Sequence, residues 1–155
     1  MFPKPVLDAL EQLVDLPDEV FLCVNAHLIT SSTRGQGTSV VSSAGHCEHS
    51  IHTHPRRRDS VYYSPSTYDV LLAWREKDWP CLNLIAYRDD SGRLAIKAYS
   101  IGNEAAWERH FRGLYDAQVL DVLREAHKRA LLTGEAERAW ERFLAVIGVR
   151  VTRVH

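Results

Sequence analysis

The residues with the clearest chemical potential are the run His52-Thr53-His54-Pro55 and, shortly after it, Ser66-Thr67-Tyr68-Asp69. Two histidines two positions apart on an extended segment project to the same side. A carboxylate from the next element, Asp69, completes a three-ligand site with one position left open. Two imidazoles, one carboxylate and an open position describe a catalytic zinc centre, where the fourth ligand is an activated water. The region is rich in such groups: of the eight histidines, His46, His49, His52 and His54 fall close together. A competing use exists for the second motif. Ser-x-x-acid at a helix start is a capping box, in which the serine accepts from a backbone N–H and the acid reaches back. That use is compatible with a role for Ser66 and competes for Asp69. Asp is shorter than the usual Glu or Gln, so the box is expected to be weak and Asp69 to serve the metal. His46, Cys47, Glu48 and His49 read as a polar loop rather than a second metal site.

These side chains need elements to hold them. Val6, Leu7, Leu10, Leu13 and Val14 recur at helical spacing, and Pro5 suits a first turn, so Pro5 to Leu16 predicts a helix ended by Pro17. Val20 to Ile29 predicts a largely buried strand. Thr30 to Thr38 follows as a hairpin loop, Ser39 to Ser43 as a strand, and Glu48 to His54 as the extended segment with the histidines. A helix runs from Ser64-Pro65-Ser66 to about Lys77, before Pro80. Cys81 to Tyr87 and Arg93 to Ser100 form a hairpin across Asp89-Asp90-Ser91-Gly92. Three helices follow over 103–111, 116–132 and 135–147, punctuated by Gly113 and Gly134, and 149–154 alternates as a last strand. Trp74, Trp79, Trp107 and Trp140 are expected in the packing of the helices.

The totals set limits. The chain has 155 residues, 45% of them apolar and 25% charged, which suits one soluble α/β domain with a proper core. A formal net charge of -1 gives no field for nucleic acid or a membrane surface. The start, Met1 to Pro5, lacks the apolar stretch of a signal peptide, and no segment is apolar for long enough to span a bilayer. Cys23, Cys47 and Cys81 are odd in number and widely spaced, which argues against a disulfide framework and for a reducing cytoplasm.

His52-x-His54-Pro55, a short loop and Ser66-x-x-Asp69 together resemble the JAMM motif of the MPN-domain zinc metallopeptidases, over about Leu7 to Ile101. The resemblance implies a single MPN-like (cytidine-deaminase-like) α/β domain with a mixed sheet flanked by helices. Residues 1–102 would be the metallopeptidase core and 103–155 a helical C-terminal extension packed on the same domain. It implies Zn2+ held by His52, His54 and Asp69, with Ser66 donating to the oxyanion. The general base of the family is a glutamate on the first strand after the N-terminal helix, and Glu19 stands there. Two departures concern Glu19: Leu22 replaces a usual glycine, and the span from Glu19 to His52 is short. Glu48 shares strand parity with His52 and is the alternative base. The loop from Arg56 to Pro65 is longer than usual. It carries Arg56, Arg57, Arg58, Tyr62 and Tyr63, expected at the mouth of the site to hold substrate. The implied reaction is hydrolysis of an amide or isopeptide bond at the C-terminus of a ubiquitin-like protein, free or conjugated, by a cytoplasmic bacterial enzyme. A catalytically silent MPN scaffold that binds a partner, and a small-substrate metallohydrolase, are the alternatives.

Overall fold

A proline at the first turn and apolar residues at helical spacing start the chain as a helix, α1 (Lys4–Leu13), whose Val6 and Leu10 are buried. In the computed structural model, which describes residues 2–35, 47–57 and 61–155, it is followed by β1 (Val20–Asn25), β2 (Leu28–Arg34), β3 (His49–Thr53), α2 (Thr67–Arg75), β4 (Leu82–Arg88), β5 (Leu94–Ile101), α3 (Glu104–Phe111), α4 (Asp116–Leu131), α5 (Ala136–Val146) and β6 (Val149–Arg153). The fold class is α/β, with one mixed sheet in the order β2-β1-β3-β4-β5-β6. β1 is antiparallel to β2 and β3, and β3 is parallel to β4. Among the described residues no helix is long and apolar enough to cross a membrane.

The strand expected over Val20 to Ile29 is in fact two. Asn25 pairs with Leu28 across a two-residue turn, with Ala26 and His27 at φ 50° and 66°. Two left-handed residues in a two-residue hairpin loop make a turn that normally uses Asn or Gly. The Asn25 side chain supports it, donating to Thr30 Oγ1 at 3.1 Å and accepting from Glu48 N at 2.8 Å. The segment expected as a loop from Thr30 therefore belongs to β2 as far as Arg34. The strand expected over Ser39 to Ser43 lies outside the described residues.

The chain gathers into two compact units: Met1–Arg56 with Pro80–Ala98 and Arg153–His155, and Arg57–Trp79 with Tyr99–Thr152. In the first, Leu22, Val24, Ile51 and Leu84 cover one face of the sheet and pack with Val6 and Leu10 of α1. Alternation then sends Phe21, Cys23 and His52 to the opposite face. In the second unit α2 clusters with the later helices around Trp107, Leu123, Trp140 and Leu144. Trp140 Nε1 donates to Pro65 O at 2.9 Å, and Trp74 stacks on Trp107 at 5.1 Å. Trp79, expected in the packing, is 65% exposed, because it follows α2 in the turn before Pro80. Gly148 is obligatory: its φ is +91°, and a Cβ there would lie 2.2 Å from Asn103 O.

The cysteines depart from expectation. Cys23 and Cys47 form a disulfide, with Cα atoms 5.3 Å apart across a sequence separation of 24. Sequence distance hides this pairing, since it depends on β1 and β3 lying side by side with Cys23 opposite Ser50. Cys81 packs against the bonded pair. A bond closing a loop of that length restricts the unfolded chain and contributes on the order of 2–4 kcal/mol. We expect Cys23→Ser, or dithiothreitol, to lower the urea-unfolding free energy by about that amount. An unchanged midpoint would show the two thiols unbonded in solution.

Candidate metal centre

The centre is assembled by strand register in the first unit. His52 pairs with Phe21 across β1 and β3, and with Ile85 across β3 and β4. Extending the antiparallel register by two residues sets His54 opposite Glu19. Glu19, Phe21, His52 and His54 therefore share one face of the sheet by period-two alternation. Glu19 is held beside the ladder through its carbonyl, which accepts from Gly35 N at 2.8 Å. His54 N donates to Ala86 O at 2.8 Å, carrying the β3–β4 pairing past the end of β3.

The side chains converge. His52 Nε2 and His54 Nε2 are 3.0 Å apart, and Glu19 Oε1 is 3.6 Å from His54 Nε2. One ligand atom from each residue can be chosen so that all three lie within 4.8 Å of one another. Two donors bound to one tetrahedral zinc at about 2.0–2.1 Å are separated by roughly 3.3 Å, a value that the 3.0 and 3.6 Å spacings bracket. All three residues are buried, at 8%, 7% and 6% exposure for Glu19, His52 and His54. A buried carboxylate is costly without a compensating charge. A divalent cation would compensate it and would be ligated by both imidazoles. The buried Glu19, His52 and His54 group can therefore hold a metal ion, and among the described residues it is the one cluster of this kind.

Glu48, the alternative base, lies elsewhere. It is exposed and four residues before His52, about 13 Å along an extended chain. His49 opens β3 and is not part of the cluster, and His46 lies outside the described residues.

Ser66 and Asp69 belong to the second unit and start α2. Both halves of the capping box form: Asp69 N donates to Ser66 Oγ at 3.1 Å, and Ser66 N donates to Asp69 Oδ2 at 2.9 Å. The expectation that a short Asp makes a poor box is thus corrected. The extended backbone of Ser66 (φ -72°, ψ 171°) brings the chain near enough for the shorter acid to reach. Of the residues expected at the mouth of the site, Arg56 donates to Asp89 O at 2.8 Å and Arg57 is exposed. Arg58 lies outside the described residues. The Tyr62 hydroxyl donates to that of Tyr63 at 2.6 Å, with ring centroids 4.0 Å apart.

One further residue at the site carries no motif signature. Thr53, between the two histidines, is wholly buried, and its Oγ1 accepts from Val20 N at 2.8 Å. A hydroxyl residue enclosed by two histidines on a buried strand was the available signal.

No family model, curated protein or solved structure matches this chain. What the fold and the site define is an α/β protein with a buried group suited to a metal ion.

Proposed function

We propose that the protein is a zinc metallopeptidase that cleaves an amide or isopeptide bond at the C-terminus of a ubiquitin-like protein. The observation that supports this most is the convergence of Glu19 with His52 and His54, since the sequence resemblance requires a glutamate beside that histidine pair. Zinc, when bound, supplies a Lewis acid that acidifies water and polarises the scissile carbonyl. His52 and His54 would hold it through their facing Nε2 atoms, and Asp69 would be the third ligand that the resemblance implies. Glu19 receives the proton of the attacking water and delivers it to the leaving amine. The Ser66 hydroxyl accepts from Asp69 N and so keeps its own hydrogen for the carbonyl oxygen as charge develops there, a contribution of about 10²–10³ in rate in comparable sites. Arg56, Arg57, Arg58, Tyr62 and Tyr63 belong to the same reading as the substrate-holding rim. So does a cytoplasmic address, against which the Cys23–Cys47 disulfide weighs, because such bonds persist in oxidising compartments.

The test is cleavage of a ubiquitin-like protein that carries an amide-linked C-terminal extension, followed by mass spectrometry. We expect release of the extension by the zinc-loaded protein, loss of release on chelation with the fold retained, and recovery on zinc addition. Zinc-loaded protein that cleaves neither this substrate nor short peptides would show a metal site without hydrolytic function.

A further inference from the structure

His52 is held by the sheet ladder on both flanks of β3, and His54, one residue past its end, by its N–H to Ala86 O on the β4 side, whereas Glu19 lies one residue before β1 begins. What fixes it is the peptide group joining Glu19 to Val20. The carbonyl of this group accepts from Gly35 N at 2.8 Å, on the β2 side. Its N–H, on the β3 side, donates to Thr53 Oγ1 at 2.8 Å. The first bond extends an ordinary strand pairing. The second is made by a side chain, and that side chain belongs to the residue between the two histidines. One position beyond the last ladder pair, Phe21 with His52, a hydroxyl therefore ties the peptide group of Glu19 to the residue between His52 and His54. We propose that Thr53 is a positioning residue for Glu19, setting the distance from its carboxylate to the metal held by the histidines. The inference rests on the reading of Glu19 as general base beside bound zinc.

The chemistry demands a hydroxyl oxygen at this position. Val has the shape of Thr without an acceptor, and would leave a buried Val20 N–H without its oxygen. Ser keeps the oxygen. Groups that orient a metal site from outside its ligand shell commonly change affinity or activity by about 10–100-fold when removed. Because Thr53 acts through Glu19, its loss should cost little once Glu19 has already been altered.

The experiment needs no knowledge of the natural substrate. Zinc affinity is measured by competition with a chromophoric chelator. The affinity of the zinc-loaded protein for acetohydroxamate, a small zinc ligand whose hydroxyl oxygen hydrogen-bonds to the neighbouring base, is measured in parallel. Glu19→Gln should weaken acetohydroxamate binding by about tenfold or more, and Thr53→Val should do the same with zinc affinity nearly unchanged. Thr53→Ser should bind like the parent, and Thr53→Val added to Glu19→Gln should cause no further loss. If Thr53→Val does not fold, Thr53→Ser and Thr53→Cys decide, since they differ in whether oxygen or a weakly accepting sulfur faces Val20 N–H. A cysteine variant that binds as the serine variant does overturns the proposal. Glu19→Gln weakening acetohydroxamate while Thr53→Val does not, or additive losses in the double variant, overturns the positioning role alone. No effect of Glu19→Gln overturns the base reading and the proposal with it.

Discussion

Replacing His52 with alanine will reduce the zinc content of the purified protein from about one per chain to a small fraction of that, and will leave the fold in place. The two expectations have separate causes. His52 Nε2 lies 3.0 Å from His54 Nε2, so the alanine removes one of the two imidazoles that could hold the same ion. Even a group outside the ligand shell is worth about 10–100-fold in metal affinity, and a direct ligand is worth more. The fold, by contrast, is built by the backbone ladder of β3 with β1 and β4 and by the apolar face against α1. Neither uses the His52 imidazole, so a sheet that forms before metal arrives should persist when metal is lost. His54→Ala should lose zinc too and be the less stable variant, because it also removes the ring 3.6 Å from the buried Glu19 carboxylate. Asp69→Ala should lose zinc if Asp69 is the third ligand, and should in any case lose about 1 kcal/mol of helix capping. Elemental analysis beside circular-dichroism melts reads all three variants. Full zinc occupancy in His52→Ala would remove the histidine pair from the site.

How far these features were legible in the residues depends on the range over which each is encoded. The histidine pair was legible because a strand has period two, so residues 52 and 54 share a face wherever the strand lies. The hairpin at Asp89 was legible because its turn chemistry is local. Asp89 Oδ1 accepts from Ser91 N, Ser91 Oγ and Arg93 N, each at 3.0 Å, and the bond from Arg93 foremost, then that from the Arg153 guanidinium to Oδ2 and those from Ser91, lower its carboxyl pKa to about 2. The turn at Ala26 and His27 was not legible, since neither residue is a usual carrier of two left-handed positions. Glu19 could be named only through a motif resemblance. Its approach to His54 follows from the pairing of Phe21 with His52, a register that no local pattern states. The same register explains the unexpected disulfide, because it brings the lead-in of β3 alongside Cys23. The strength of the capping box is illegible for a different reason: side-chain length alone does not set it, because the backbone angles of Ser66 determine the reach required. Local periodicity thus reported what each element is. Register between elements decided which side chains meet.

Register also leaves Glu19 with two chemically distinct roles, and one substitution separates them. At 3.6 Å from His54 Nε2, Oε1 is near the separation of two ligands on one tetrahedral zinc, roughly 3.3 Å, and a carboxylate that takes the proton of a metal-bound water would also stand beside the histidines. If Glu19 is the base, with His52, His54 and Asp69 as ligands, Glu19→Gln keeps the shape and the zinc and loses only the proton acceptor. Turnover of a ubiquitin-like C-terminal extension should then fall by about 10²–10⁴ at unchanged zinc content. If Glu19 is itself a ligand, the neutral amide is a much poorer donor, and zinc and turnover are lost together. We expect the first result, because the resemblance supplies a separate carboxylate ligand in Asp69. The exposed Glu48 serves as the control: Glu48→Gln should match the parent in both zinc content and rate. Loss of zinc in Glu19→Gln with retention in Asp69→Ala would reverse the two carboxylates' roles, making Glu19 the ligand and leaving Asp69 to its helix cap.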